Sequence, residues 1–394
     1  MKKYILNSFK YISIVLVIII STNNTINAQT TLEKETSTIK FEKGIWQTIV
    51  DGKSGEGALF YRFDFKKDRT VQITKQFGGS DNIIENKQWT KSGNIISIKS
   101  SSDAQITEFN GEKLEIIDNN TLNYKTTNYE SIVKPHKKNI ALIHCLLIII
   151  VLILLNELFR HSKWATILFF VILPLILTPL VWSQHGVTYW FKWAKIYSVV
   201  FAVIWFTLIR FTKIGKYNWV KMVVALFLAV NIAEAVSQDF SMGYLPNILN
   251  GIAGILNIVT LFYGWKKIAP DNSKQKDMLW PAMTIFWIIA YDIWNIVYVY
   301  LNFPGSTSAQ FMVILSCTIP ALFIKKGTWL QARAFTLGAW FMYYFTFPRF
   351  TEQMELLVPR SYNLMLGVAI ISIVANIAYF IVFLKLIKNK KHKA

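Results

Sequence analysis

Three carboxylates interrupt long apolar stretches of this sequence, and each has an asparagine nearby. Asp292 lies inside "TIFWIIAYDIWNIVYVYLNF", Glu234 inside "NIAEAVSQD" and Glu157 inside "LLNELFR". An ionised carboxylate at the centre of a membrane-spanning helix costs on the order of 3 kcal/mol, so it is expected to face a partner and to have a function. In such a place a carboxylate binds a cation, a proton or a small polar solute.

Helical spacing collects further polar groups on the same faces. Asn295 lies three residues after Asp292 and Asn231 lies three residues before Glu234, so each pair shares one face of a helix. The stretch "LPNILNGIAGILNIV" adds more amides on a single face. Counted from the predicted helix ends, Glu234 and Asp292 both lie in the outer half of the membrane. The predicted intramembrane polar site contains Asp292, Asn295, Glu234, Asn231, Asn250 and Asn257.

Two further charged residues are predicted near the inner face of the membrane. Glu157 lies at the inner edge of its run, and Arg333 in "TWLQARAFTLGAW" lies about one turn from the same side. They are candidates for an ion pair. Amides and small residues also hold transmembrane helices together, at about 0.6–2 kcal/mol per contact, without any ligand. The sequence leaves solute binding and helix packing both open for these polar residues.

Long apolar segments must position these groups. The chain has 394 residues, of which 53% are hydrophobic, and nine apolar runs follow residue 138. Runs of about 20 apolar residues are typical of membrane-spanning helices. The runs cover residues 139–159, 163–183, 194–211, 218–238, 245–265, 278–302, 307–324, 328–347 and 361–385.

The positive charges indicate an orientation. The net charge is +19, and the excess of Lys and Arg lies in alternate loops between the runs and in the tail "KLIKNKKHKA". Because cytoplasmic loops are enriched in Lys and Arg, this alternation places the C-terminus in the cytoplasm. We predict a bacterial cytoplasmic (inner) membrane protein that crosses the bilayer about nine times and does not bind nucleic acid.

The N-terminal third has a different composition. "MKKYILNSFKY", "ISIVLVIII" and "TINAQT" have the order of a secretory signal peptide cleaved after Ala28. The next 110 or so residues alternate apolar and polar positions, with a hairpin predicted across "KKDR", and about eight short strands suggest a small antiparallel barrel or sandwich. The predicted domains are a signal peptide at 1–28, an extracytoplasmic β-domain at 29–135, a transmembrane domain at 139–385 and a basic cytoplasmic tail at 386–394.

Two segments resemble known families. "GIWQ", "FYRFDFKKDRTV", "KQWTKSGNIISI" and "LEIIDNNTLNYKT" resemble the small lipocalin-like domains of exported bacterial proteins. That resemblance implies a calyx for an apolar ligand, whereas a barrel filled by its own side chains is the alternative. "NELFRHSKW", "NIAEAVSQDF", "YDIWNIVY" and "LGAWFMYYFTFP" resemble a family of bacterial multi-pass membrane proteins of unknown function over residues 140–385. This second resemblance implies a shared membrane fold and assigns no reaction.

Motifs for catalysis are missing from the sequence. It contains no HExxH, GxSxG or Walker loop, the cysteines Cys145 and Cys317 lie within apolar runs, and the five histidines are scattered singly. No cofactor or metal is therefore predicted, and the expected partners are the lipid bilayer and a small solute or ion. Transport through the polar site is the first functional hypothesis. A membrane-anchored sensor or assembly protein and a membrane-embedded enzyme are the alternatives.

Overall fold

The computed structural model describes eight stretches of the chain, beginning with an all-β domain. The described residues are 45–50, 59–77, 83–118, 121–125, 127–132, 138–184, 190–356 and 358–391, so the predicted signal peptide lies outside them. The β-domain has the strands β1 (Ile45–Val50), β2 (Leu59–Phe65), β3 (Thr70–Phe77), β4 (Ile83–Ser92), β5 (Ile95–Ile98), β6 (Lys113–Asp118), β7 (Thr121–Tyr124) and β8 (Thr127–Ile132).

These strands form a closed antiparallel barrel. Each strand pairs with its neighbour in the chain, and β1 also pairs with β8. The predicted "KKDR" hairpin is confirmed: Phe65 is the partner of Val71 across the turn, and the backbone N–H of Lys66 donates to the carbonyl of Thr70 at 2.9 Å. The alternation of apolar residues on β2 and β3 sets this register because a slip by one residue would turn the apolar face outward.

Side chains from strands β1 to β7 pack together in a buried core. Phe109, on a short helical turn, packs edge-on against Phe63 with ring centroids 4.8 Å apart, and Phe65 packs in the same way against Trp89 at 5.3 Å. The described buried core consists of Trp46, Tyr61, Phe63, Phe65, Val71, Ile73, Trp89, Ile96, Ile98, Ile106, Phe109, Leu114, Ile116 and Leu122. This packing supports a filled barrel over a ligand-binding calyx.

Helices account for most of the described chain after residue 137. Their bounds are α1 (Lys138–His161), α2 (Lys163–Leu180), α3 (Trp190–Phe211), α4 (Asn218–Met242), α5 (Leu245–Leu261), α6 (Ile285–Asn302), α7 (Thr307–Phe323), α8 (Trp329–Thr346), the six-residue α9 (Pro348–Gln353) and α10 (Tyr362–Lys391). Every predicted apolar run overlaps one of the nine longer helices.

The prediction of nine spanning helices is not confirmed, because six helices in the described part are long and apolar enough to cross a membrane. These are α1, α2, α3, α4, α6 and α10. At 17 residues each, α5 and α7 are only about 25 Å long, less than the ~30 Å hydrocarbon core of a bilayer. Helix α8 is also outside this set of six, and it carries the buried polar residues Gln331 and Arg333.

The helices pack in two groups. In the first group α5 packs against α4, α6 and α10, and α10 also packs against α6. In the second group α8 packs against α1, α3 and α7, and α1 also packs against α7. The two groups meet where α6 contacts α7 and where α3 contacts α4, and we call the contact of α6 with α7 the seam.

The loop between α5 and α6 folds back as a short ribbon. Its strands β9 (Ala269–Pro270) and β10 (Met278–Leu279) pair antiparallel, and both Met278 and Trp280 are buried. The following helix α6 begins only at Ile285, where the side chain of Thr284 accepts a hydrogen bond from the backbone N–H of Trp287. The prediction that began this span at residue 278 therefore counted a buried loop as helix.

Candidate functional site

Asp292 lies at the seam and is only partly satisfied. Its side chain is 8% exposed, and its Oδ2 accepts a hydrogen bond from the Thr318 hydroxyl of α7 at 2.6 Å. The indole of Trp329 donates to the same hydroxyl oxygen at 2.9 Å, which leaves the hydroxyl proton directed to the carboxylate. The other carboxylate oxygen, Oδ1, is buried and has no hydrogen-bond partner among the described residues.

Arg333 faces the same place from α8. It is 7% exposed and lies close enough to Asp292 for an electrostatic interaction. Its Nη2 donates to Oδ1 of Asn295 at 3.3 Å, and Gln310 of α7 donates to that same oxygen. Its Nη1 is buried without a partner in the described part of the chain. Two unsatisfied atoms of opposite charge therefore lie on the two sides of the seam.

The position of Asp292 along its helix differs from the one counted from the predicted run. It lies closer to the start of α6 at Ile285 than to the end at Asn302, because the apolar ribbon before Ile285 is not part of the helix. Glu234 lies toward the other end of the bundle, since its partner Lys195 is near the start of α3. Lys195 and Glu234 are 2.5 Å apart, and the carboxylate side chain is 35% exposed.

The other predicted site residues do not gather around Asp292, apart from Asn295. Asn231 is half-buried on α4, and Asn257 is buried on α5, where its amide donates to the carbonyl of Ala253 one turn earlier at 3.3 Å. Asn250 belongs to a separate cluster around Asp239. The single polar site predicted from the sequence is thus divided between several places, and Asp292 with Asn295 is the part that the structure brings together.

Asp239 is the carboxylate that the sequence prediction missed. It is 0% exposed, and its Oδ1 accepts hydrogen bonds from the amides of Asn302 at 2.7 Å and Asn247 at 2.9 Å, while its Oδ2 accepts from Asn250 at 2.8 Å. Ser372 of α10 donates to Oδ1 of Asn250 at 2.7 Å. Helices α4, α5, α6 and α10 all contribute to this cluster.

A signal for Asp239 was present in the sequence. The predicted span ended at residue 238, whereas α4 continues to Met242 and ends at Gly243, whose φ of 71° suits a glycine. The connection to α5 is so short that the last turn of α4 and the first turns of α5 must be neighbours. Asn247 and Asn250, three residues apart, then face the end of α4.

The predicted ion pair between Glu157 and Arg333 is also corrected. Glu157 pairs with Arg160, one turn later on α1, at 2.6 Å. Arg160 also binds the carboxylate of Asp277 from the ribbon loop at 2.8 Å, and Gln331 donates to the other oxygen of that carboxylate at 2.9 Å. Arg210 donates to backbone carbonyls at the end of α1 and in the loop. These contacts fix the loop to the helix ends, which is a structural role.

The fold and these clusters define a protein with several helices long and apolar enough to cross a membrane, preceded by an all-β domain and containing buried carboxylates between its helices. The chain belongs to a family of unknown function, DUF5692, which matches residues 136–394. This match confirms the predicted membership of a family without an assigned reaction. No curated protein and no solved structure is significantly similar to the chain.

Proposed function

We propose that the helical region transports a small polar solute or ion across a membrane and that Asp292 and Arg333 form its binding site. The observation that supports this most is the unsatisfied pair of atoms, Asp292 Oδ1 and Arg333 Nη1. Buried polar atoms are hydrogen-bonded in the great majority of cases, so two unsatisfied atoms of opposite charge in one place are unusual. Such a place suits a ligand that supplies the missing partners.

The chemistry of Asp292 and Arg333 indicates which class of ligand the site would bind. A carboxylate oxygen accepts hydrogen bonds or contacts a cation, and a guanidinium nitrogen donates to an anion or a carbonyl. A solute that carries both kinds of group, such as a zwitterion, would satisfy Asp292 and Arg333 at once. The neighbouring ring of Tyr291, stacked on Trp287 with centroids 5.3 Å apart, supplies an apolar wall for the rest of such a molecule.

The position of the site agrees with transport. Asp292 belongs to the helix group of α4, α5, α6 and α10, whereas Thr318 and Arg333 belong to the group of α1, α3, α7 and α8. Many transporters bind their substrate where two helix groups meet, so that rocking of one group against the other opens the site to either side. A ligand held between Asp292 and Arg333 would couple these two groups.

The proposed setting is the cytoplasmic membrane of a bacterium. The basic residues alternate between loops along the chain, which supports a cytoplasmic C-terminus and an extracytoplasmic β-domain after a cleaved signal peptide. Its eight strands pair in chain order in a closed barrel, which supports a lipocalin-like class for the β-domain. Because its interior is filled by aromatic and aliphatic side chains, we propose that it acts through its outer surface.

A binding screen with matched variants tests the proposal. Purified full-length protein is heated in detergent with a panel of free amino acids, betaines, polyamines and dicarboxylates, and the midpoint of unfolding is recorded. A ligand at about 100 times its dissociation constant stabilises the protein by roughly 2.7 kcal/mol, which shifts the midpoint by several degrees. We expect one zwitterionic class to stabilise the wild type and not Asp292→Asn or Arg333→Gln.

The matched control is Glu234→Gln, which makes the same carboxylate-to-amide change at a residue paired with Lys195. It should keep the full response to the ligand. Uptake of the radiolabelled compound into proteoliposomes then tests transport itself. The proposal fails if the whole panel leaves the midpoint unchanged, or if both seam variants respond like the wild type.

A further inference from the structure

The cluster around Asp239 has the composition of an oxygen-ligand site rather than of an ion pair. Its carboxylate is fully buried and is held by the three amides of Asn247, Asn250 and Asn302. Among the described residues, the side chains that interact with the Asp239 carboxylate are these amides, and no Lys, Arg or His contacts it. No positively charged side chain in the described part of the chain therefore neutralises this carboxylate, which is removed from water.

Buried charges are normally paired or bound to a metal ion, because removal from water strongly disfavours an isolated ion. Three neutral amides orient their dipoles toward the carboxylate but do not neutralise it. One monovalent cation would make the cluster neutral, whereas a divalent ion would leave it with a net positive charge. We infer that Asp239, Asn247, Asn250 and Asn302 form a binding site for a dehydrated sodium ion.

The ligand atoms are already close to one another. The amide nitrogen of Asn247 lies between two oxygens, 2.9 Å from Oδ1 of Asp239 and 3.1 Å from Oδ1 of Asn302. Rotation of the Asn247 amide about its last side-chain bond exchanges its nitrogen and oxygen, so a third oxygen then faces the first two. The amide of Asn302 can keep its present orientation, in which it donates to Asp239 and to the carbonyl of Tyr298.

Ser372 makes the matching rotation of Asn250 feasible. Its hydroxyl now donates to Oδ1 of Asn250, while Nδ2 of Asn250 donates to Asp239. A hydroxyl both donates and accepts, so after rotation it accepts from Nδ2, and Oδ1 turns toward the carboxylate. Both oxygens of Asp239 and one oxygen from each of the three amides then provide five oxygen ligands, the ligand type that hard cations take in proteins.

The single negative charge of the Asp239 cluster favours a monovalent cation over calcium. Calcium sites in proteins usually combine several carboxylates with six to eight oxygen ligands, and this cluster has a single carboxylate. This inference does not depend on a solute site at Asp292, since the two clusters share no hydrogen-bonding side chain among their recorded contacts.

Thermal unfolding in defined salts tests the site. Purified full-length protein is dialysed into choline chloride, and choline is replaced stepwise by Na⁺, K⁺ or Ca²⁺ at constant ionic strength. Binding to the folded state raises the unfolding midpoint with the logarithm of the cation concentration. We expect this rise with Na⁺ and not with K⁺ or Ca²⁺, and we expect Asp239→Asn to abolish it while Glu234→Gln on the same helix retains it.

A second variant and a direct measurement cover the case in which Asp239→Asn does not fold. Ser372→Ala keeps all five proposed ligands but removes the group that positions Asn250, so it should raise the Na⁺ concentration for half-maximal stabilisation about tenfold. Equilibrium dialysis with radioactive sodium should show one ion bound per wild-type chain. Equal midpoints in all salts, a response to Ca²⁺ in place of Na⁺, or an unchanged Na⁺ response in Asp239→Asn would each overturn the inference.

Discussion

The two buried carboxylates of the helical region differ in how fully the protein satisfies them. Asp239 accepts three amide hydrogen bonds from two other helices, and both of its oxygens are used. Asp292 accepts one hydrogen bond, from Thr318, and its second oxygen has no partner in the described chain. Asp239 lies in the last turn of α4 and contacts Asn302 at the end of α6, whereas Asp292 lies nearer the start of α6.

This difference determines how freely the helices around each carboxylate can move. A fully satisfied polar network holds its helices in one arrangement, because every displacement breaks a hydrogen bond in a medium of low dielectric constant. A half-satisfied pair gives less stability and leaves atoms for a ligand to contact. We therefore expect Asp239 to hold α4, α5, α6 and α10 together, and Asp292 with Arg333 to leave the seam able to move.

The largest effect is expected when each carboxylate is truncated. Asp239→Ala takes one hydrogen-bond acceptor from each of three buried amides and should lower the free energy of unfolding by about 3–5 kcal/mol. Asp292→Ala creates a similar cavity but removes the acceptor of one hydroxyl only, so it should cost about 1–2 kcal/mol. Chemical unfolding of the full-length protein in sodium-free detergent measures both values. Equal losses in the two variants would contradict the distinction between the clusters.

Double-mutant cycles give a smaller but more specific effect. The hydrogen bond between Asp239 and Asn250 joins an amide to a charge, so Asp239→Ala and Asn250→Ala should show a coupling energy of about 1.5–3 kcal/mol. Asp292 and Arg333 interact without a direct hydrogen bond between described atoms, so their coupling energy should be smaller than that of Asp239 with Asn250. Addition of the ligand found in the binding screen should raise the second coupling energy only. A strong coupling between Asp292 and Arg333 without ligand would indicate a structural ion pair.

A substitution at the close contact of α5 with its neighbours should have an intermediate effect on the free energy of unfolding. A Cβ on Gly254 would come within 2.4 Å of Val236 and 2.8 Å of the Trp294 indole nitrogen, which donates to the carbonyl of Asn250. Gly254→Ala should therefore push α5 away and cost about 1–2 kcal/mol. Gly367→Ala on α10 is the matched control, because its Cβ would meet no atom within 4 Å. If Gly254→Ala also raised the Na⁺ concentration for half-maximal stabilisation, the helix contact and the Asp239 cluster would be coupled.

The sequence predicted the helices and the barrel better than it predicted their polar contacts. Alternating apolar residues in β2 and β3 specify a hairpin without further information, and each apolar run overlaps a helix. The ends of the runs were less reliable because hydropathy does not distinguish a buried loop from a span. Met278 and Trp280 are apolar and buried, yet they belong to the ribbon loop. For the same reason the predicted span ended at residue 238 and left Asp239 outside, although α4 continues to Met242.

Partners between distant helices were the least predictable feature. Glu157 was assigned to Arg333 from depth alone, although "ELFR" already placed Arg160 three residues away on the same helix face. Only the fold shows that Asn295 and Arg333 meet, because their contact depends on how α6 and α8 pack across the seam. A single sequence shows which residues share one face of a helix, but it does not show which helix faces pack against each other.

The smallest effect concerns Glu108 in the barrel, a carboxylate outside the helical region. Burial alone would raise its pKa, but hydrogen bonds from Lys75, its own backbone and Tyr61 outweigh burial and hold the pKa below the ordinary value of 4.5. A carboxylate with a lowered folded pKa stabilises the fold above its unfolded pKa, and this contribution is lost as the pH falls through the folded value. Hydrogen exchange of residues 59–77 in the full-length protein measures it.

Glu108→Gln should reduce protection of these strands at neutral pH, and the difference from wild type should shrink as the pH falls below 4.5. Glu115→Gln, at an exposed position on β6, is the control and should match the wild type throughout. A difference that stayed constant across this range would mean that Glu108 acts by packing rather than by its charge.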